Sequence, residues 1–146
     1  AMWYNEYHTI LSAGIDPEEI ETFFYSDYGL NFPEDGIYVL EDFFRDSAEI
    51  ACAFVKASIE GWEYALSRPE EAIDIVLKRM KDARVPANRA HQRWMLIRIG
   101  DLMRLKGKEI MDVLFKNDYD LVAKELHSLG LIEEIPSFEG FHISCR

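Results

Sequence analysis

Ser47-Ala48-Glu49-Ile50-Ala51-Cys52-Ala53-Phe54-Val55-Lys56-Ala57-Ser58-Ile59-Glu60-Gly61-Trp62-Glu63-Tyr64-Ala65-Leu66 is the stretch whose reading decides the fold. Ile50, Phe54, Ile59, Trp62 and Leu66 recur at helical spacing, and Ala51, Val55 and Ala65 widen the apolar stripe. Ser47 is placed to cap the first turn. The pattern predicts a helix over 48–66, the longest or second-longest in the chain, with Phe54 and Trp62 buried. Gly61 lies inside it. Glycine costs about 1 kcal/mol against alanine in a helix, so Gly61 is expected where another helix or backbone comes close.

Downstream the chain reads as further helices. In Ser67-Arg68-Pro69-Glu70, proline suits a first helical position, and Ile73, Val76, Leu77 and Met80 form the inward stripe that follows. Arg84-Val85-Pro86 ends that helix, because a residue before proline avoids the α region. Asn88 can cap a helix over 89–105 with Trp94, Met95, Ile99, Leu102 and Met103 inward, and Arg104, Lys106 and Lys108 put positive charge near its end. Asp118 is expected to cap a last clear helix carrying Tyr119, Val122, Ala123, Leu126 and Leu129, closed by Gly130. The tail from Leu131 to Arg146 contains Pro136 and Gly140 and reads as irregular.

Upstream, residues 3–13 read as a helix closed by Gly14. Asp16-Pro17-Glu18-Glu19 signals a short helical start, with Glu19 able to complete a capping box. Thr22-Phe23-Phe24-Tyr25 is aromatic and β-prone, and so is Ile37-Tyr38-Val39-Leu40; a loop rich in Gly, Asn and Pro separates them. With two or three short strands beside many helices, the expected class is α/β, helix-rich. Residues 1–45 form an aromatic, strand-bearing segment and 46–146 a helical one, read as parts of one domain.

Trp3-Tyr4-Asn5-Glu6-Tyr7-His8 concentrates aromatic, amide, carboxylate and imidazole groups. An aromatic wall supplies contact area and a few polar groups supply orientation, which is the mix that small-molecule sites use. Trp3, Tyr4, Asn5 and Glu6 are therefore the candidate ligand-binding residues. The plainer reading is that the aromatics are core and that Glu6 and His8 face water. Trp62 and Trp94, on helical stripes, are expected in the core.

The formal net charge is −11, with 27 acids against 16 Lys and Arg. That argues against a nucleic-acid surface, which needs clustered cations, and against docking on anionic membranes. No apolar run approaches the roughly 20 residues that span a bilayer. No secretory signal is visible. Ala1 ahead of Met2 reads as a remnant before an initiator methionine. Cys52 and Cys145 are lone cysteines, and Cys52, among Ile50, Phe54 and Val55, is expected as a buried free thiol. There is no GxxxxGK[ST], GxGxxG or GxSxG, and His8, His91, His127 and His142 form no HExxH. Each histidine is expected to face solvent or make one hydrogen bond. No catalytic residue, metal or cofactor is assigned, and the chain is not expected to be an enzyme.

In order, Trp3-Tyr4-Asn5-Glu6, Gly29, Asp35-Gly36-Ile37-Tyr38, Ala53-Phe54-Val55-Lys56-Ala57-Ser58, Gly61-Trp62-Glu63-Tyr64-Ala65 and Pro69-Glu70-Glu71-Ala72-Ile73-Asp74-Ile75-Val76 resemble the C-terminal part of the thiamine-pyrimidine and sulfonate family of substrate-binding proteins of ABC transporters. Arg89-Ala90-His91-Gln92-Arg93-Trp94-Met95 and Ile135-Pro136-Ser137-Phe138 extend the resemblance along the chain. It implies an incomplete type II periplasmic-binding-protein fold lacking the N-terminal lobe, as in a truncated reading frame or a fragment. It implies a small ligand, either a thiamine-precursor pyrimidine or a nitrate- or sulfonate-class solute, and a transporter permease as partner of the full-length parent. It also implies a periplasmic or lipid-anchored extracellular location for that parent. Tyr4, Asn5 and Glu6 would line the cleft; Trp3 and Tyr7 could point into the lobe. Two alternatives share the fold: a ligand-sensing module of a signalling protein, and an enzyme of pyrimidine synthesis, which the missing cysteine-rich segment disfavours. Without the other lobe, Phe23, Phe24, Phe43 and Phe44 would lose cover, so a homodimer or larger is expected, with aromatic residues of 3–44 at the interface.

Overall fold

A computed structural model describes residues 1–105, 109–110 and 113–145. Its elements in order are α1 (Glu6–Ser12), a 3-10 turn (Pro17–Glu19), a second one (Tyr25–Tyr28), α2 (Glu41–Ser67), α3 (Pro69–Asp82), α4 (Arg89–Met103), β1 (Arg104–Leu105), β2 (Glu109–Ile110), α5 (Lys116–Ser128) and α6 (Phe138–Phe141). The chain divides into two compact units. The first joins Ala1–Glu21 to Ala57–Met111, and the second joins Thr22–Lys56 to Asp112–Arg146. Helix α2 contributes its first part to the second unit and its last part to the first.

Several local signals act as the sequence suggests. Asn88 accepts from the N–H groups of Ala90 (2.9 Å) and His91 (3.2 Å) and so starts α4. Pro69 opens α3. The Glu19 carboxylate accepts from the Asp16 N–H at 3.1 Å. Gly14 and Gly130 follow α1 and α5 with φ of +93° and +69°, a conformation that costs glycine nothing. Helix α2 bends at Ser47, whose φ of −147° leaves the helical region, so the long helical run proper begins at residue 48. Among the described residues α2, α3, α4 and α5 hold 27, 14, 15 and 13 residues, the four long helices expected.

The expected α/β class is overturned. Neither 22–25 nor 37–40 is a strand; residues Tyr25–Tyr28 form a 3-10 turn and 29–40 carry no regular structure. The β1–β2 pairing, two residues on each side, is an antiparallel bridge and not a layer. The chain is helical, and an incomplete type II binding-protein fold with two or three strands is not what it adopts. The reason is that β-prone aromatics make a strand only with a partner strand and a face to bury. Between the two segments lie Gly29, Pro33 and Asp35, and Asp35 has a φ of +60°. Tyr38 and Leu40 stand 76% and 79% exposed.

Other placements also differ. Phe54, expected inside, is 62% exposed; the covered line of that part of α2 passes through Ala51. Trp62 is half-buried. A Cβ on Gly61 would meet nothing within 4 Å, whereas one on Gly100 of α4 would lie 2.6 Å from Leu66 Cδ2. The close approach expected at Gly61 therefore occurs at Gly100. Asp118 stands inside the first turn of α5, which starts at Lys116. The expectation for Lys106 and Lys108 lies outside the described residues.

In the second unit, Tyr119 and Ala123 of α5 are buried, and the Tyr119 hydroxyl donates to the Pro136 carbonyl at 2.6 Å. The Tyr119 ring lies 5.5 Å from Phe138 and 5.0 Å from Phe141, which fixes α6 on α5. Cys52 and Cys145, expected as lone thiols, form a disulfide across a sequence separation of 93. No spacing rule reveals such a pair, because only the fold brings the tail to α2.

A cross-link over so long a loop removes much of the entropy of the unfolded chain. Reduction, or Cys145→Ser, is expected to lower unfolding stability by about 4 kcal/mol. Urea denaturation with and without reductant measures it, and coincident curves would show that the pair contributes nothing.

Candidate functional site

The opening stretch is held against α4 in the first unit. The Trp94 indole N–H donates to the Trp3 carbonyl at 3.2 Å. Its ring centroid lies 5.8 Å from Trp3, 6.0 Å from Tyr7 and 5.1 Å from His8, while the Trp3 and Tyr7 rings pack at a tilt, 4.3 Å apart. The Arg98 guanidinium lies 5.1 Å from the centroid of the Trp94 ring, a cation–π contact. His91 and Trp94 are three residues apart, so both project from one side of α4.

At the edge of this aromatic group two imidazoles meet. His8 Nδ1 and His91 Nδ1 are 2.9 Å apart. His91 Nε2 is 3.0 Å from the Asn5 Oδ1 acceptor, so it carries a proton. In the neutral pair His91 Nδ1 is then a lone pair, and His8 Nδ1–H donates to it. Ser12 Oγ is 3.3 Å from the same His8 Nδ1. Because Ser12 and His91 compete for one ring atom, His8 cannot relay a proton between them as the base of a catalytic triad does. Burial pushes the His8 imidazole below its ordinary value, and the His91 charge adds to that.

Of the four residues singled out in the sequence, Trp3 and Asn5 enter this group, through ring packing and through the bond to His91. Tyr4 is half-buried beside them. Glu6 turns outward; it accepts from the Met2 N–H at 2.8 Å, and that bond holds its carboxyl below the usual range. Sequence reasoning missed His91 and Trp94 as partners of this stretch. His91 makes two hydrogen bonds where at most one was expected. The available signal was the Asn88 cap, which fixes the start of α4 and so the side from which both residues project.

On another side of α4, a cavity of about 450 Å³ lies between α2, α3 and α4. Gly61, Trp62, Ala65, Ile73, Gln92 and Met95 are among its lining residues, and none of Trp3, Tyr4, Asn5 or Glu6 is. Among the described residues no group of three or more His, Cys, Asp or Glu could hold a metal ion, and no helix is long and apolar enough to cross a membrane.

Residues 1–72 match the family model NMT1/THI5 like. The match takes in the whole aromatic–imidazole stretch, α2 and the first residues of α3, a little under half of the chain. It does not reach α4, α5 or the tail, where the resemblance was expected to continue. No curated protein and no solved structure matches the chain.

Trp94 both donates to Trp3 and supplies the surface for three rings. Trp94→Ala is expected to cost about 2 kcal/mol or more, toward the lower end for a large aromatic that is only half-buried. Trp94→Phe, which keeps a ring and loses the N–H, should cost about 1 kcal/mol. Chemical denaturation followed by far-UV circular dichroism tests the order; equal stability of all three proteins would contradict it.

Proposed function

We propose that this chain is part of a solute-binding protein of an ABC-type uptake system, and that its ligand is a thiamine-precursor pyrimidine or a nitrate- or sulfonate-class solute. The observation that carries this reading is the match of residues 1–72 to the NMT1/THI5-like model, because the first residues of that match build the polar–aromatic group on α4. Trp3 and Tyr4 offer flat apolar surface to a heterocycle. Asn5 spends its carbonyl on His91 and keeps its NH₂ donors for a ring nitrogen or a sulfonate oxygen. The outward Glu6 carboxylate suits an exocyclic amine. The chain acts as a binder, not a catalyst, and the permease of the transporter is its partner. The Cys52–Cys145 disulfide supports a location in an oxidising compartment, the periplasm or the cell exterior.

Glu6→Gln is expected to weaken an aminopyrimidine by about 1 kcal/mol or more, roughly fivefold in dissociation constant. Titration calorimetry reads this directly, after a thermal-shift screen with aminopyrimidines, taurine and nitrate has identified the solute. An unchanged affinity removes Glu6 from the site; no shift with any of the three classes removes the reading.

Self-association belongs to the same proposal. Tyr25, Tyr28, Tyr38 and Leu40 each stand 65% exposed or more, and apolar surface of that extent is normally covered. Light scattering at micromolar concentration is expected to give a dimer or larger, and a stable monomer counts against it.

A further inference from the structure

The Nδ1–Nδ1 contact between His8 and His91 has room for one proton. We propose that this pair is an acid-operated release for α1: a single shared proton holds α1 on α4, and a second one drives the helix off. The neutral pair has N–H on His8 Nδ1 and a lone pair on His91 Nδ1. The first added proton goes to His8 Nε2, the remaining basic atom, and leaves the N–H···N bond intact. The second must go to His91 Nδ1. Both facing nitrogens then carry hydrogen, the bond is lost, and two cationic rings face each other with centroids 5.1 Å apart.

The surroundings supply no counter-charge to relieve that repulsion; the other group within reach of His8 Nδ1 is the neutral Ser12 Oγ at 3.3 Å. On the α1 side the charged or titratable neighbours are the N-terminal amine, Glu6, which accepts from the Met2 N–H, and Tyr7, packed at a tilt on Trp3. On the α4 side, Arg89 reaches Asp74 and Glu70 of α3, Arg93 reaches Glu70, and Arg98 pairs with Asp101. No carboxylate among the described residues bonds to either imidazole, and Asn5, the one polar side chain on His91 Nε2, accepts equally well in every charge state.

Released from α4, the two rings part, and each can take up a proton with no cation facing it. The released pair therefore holds more protons in acid than the docked one. Docking is complete at neutral pH and weakens as pH falls through the ordinary imidazole range, by about tenfold per pH unit for each proton taken up on release. The lowered basicity of buried His8 acts in the same sense. The pair works in this way whatever solute the protein carries.

Amide hydrogen exchange on the full chain tests it. The protection factors of α1 amides, such as those of Thr9 and Ala13, are expected to fall at least about tenfold between about pH 7 and pH 5, while those of α3 stay within about twofold. His8→Phe keeps a ring against Trp94 and removes the proton site, so its α1 protection should lose this extra pH dependence. A wild-type α1 that tracks α3, or a His8→Phe protein that titrates like wild type, overturns the proposal. If circular dichroism shows that His8→Phe is unfolded, His8→Gln takes its place. If that also fails, ring-nitrogen NMR of the wild type decides. Two macroscopic steps separated by about one pH unit or more support the pair, and a joint step near 6.5 overturns it.

Discussion

The first unit depends on Trp94. Its N–H satisfies the Trp3 carbonyl in the turn ahead of α1, and its ring is the common surface for Trp3, Tyr7 and His8. A helix of seven residues is too short to persist alone in water, so α1 exists because α4 offers it that surface. The imidazole pair and the Asn5 bond follow from the docking, since both join residues more than 80 positions apart. Helix α4 in turn is held to α3 by Arg89 and Arg93 against Glu70 and Asp74. Those pairs are largely exposed and contribute at most about 1 kcal/mol each. The apolar line through Ile73 supplies more, because Ile73 is 2% exposed.

The helical part of the fold was legible because its signals are local. A proline at a first turn, an asparagine before an apolar run and a glycine after one need no tertiary context, and Pro69, Asn88, Gly14 and Gly130 all act as read. The strands at 22–25 and 37–40 were not legible, because β-propensity records only that a side chain suits a half-buried pleated surface, and Tyr38 and Leu40 find none. Phe54 shows the same limit on a helix: periodicity gives the stripe but not which part of it is covered. The disulfide and the His8–His91 contact rest on separations of 93 and 83 residues, beyond the range of any spacing argument.

The candidate site was half legible. The density of stacking and hydrogen-bonding groups in Trp3–His8 singled out a segment that the structure gathers for the most part in one place. Its complement on α4 was invisible for a physical reason. His91 and Trp94 read singly as a surface histidine and a core tryptophan, and only α1 seated against them makes the two act together. Glu6, conspicuous in the sequence, turns outward and accepts from the Met2 N–H instead of joining the group.

The bond between Cys52 and Cys145 also changes what a broken backbone means for this molecule. Everything from residue 53 to 144, including α3, α4 and α5, lies within one covalent ring. The turn between α3 and α4 is exposed, as are the helix ends on either side of it from Lys81 to Ala90, and Arg84 is held in the turn at a φ of +56°. A trypsin-like protease that cut after Arg84 would open the ring without dividing the molecule. The two pieces would migrate as one species until the sulfurs were reduced, and they could re-form their contacts as an intramolecular event, independent of protein concentration.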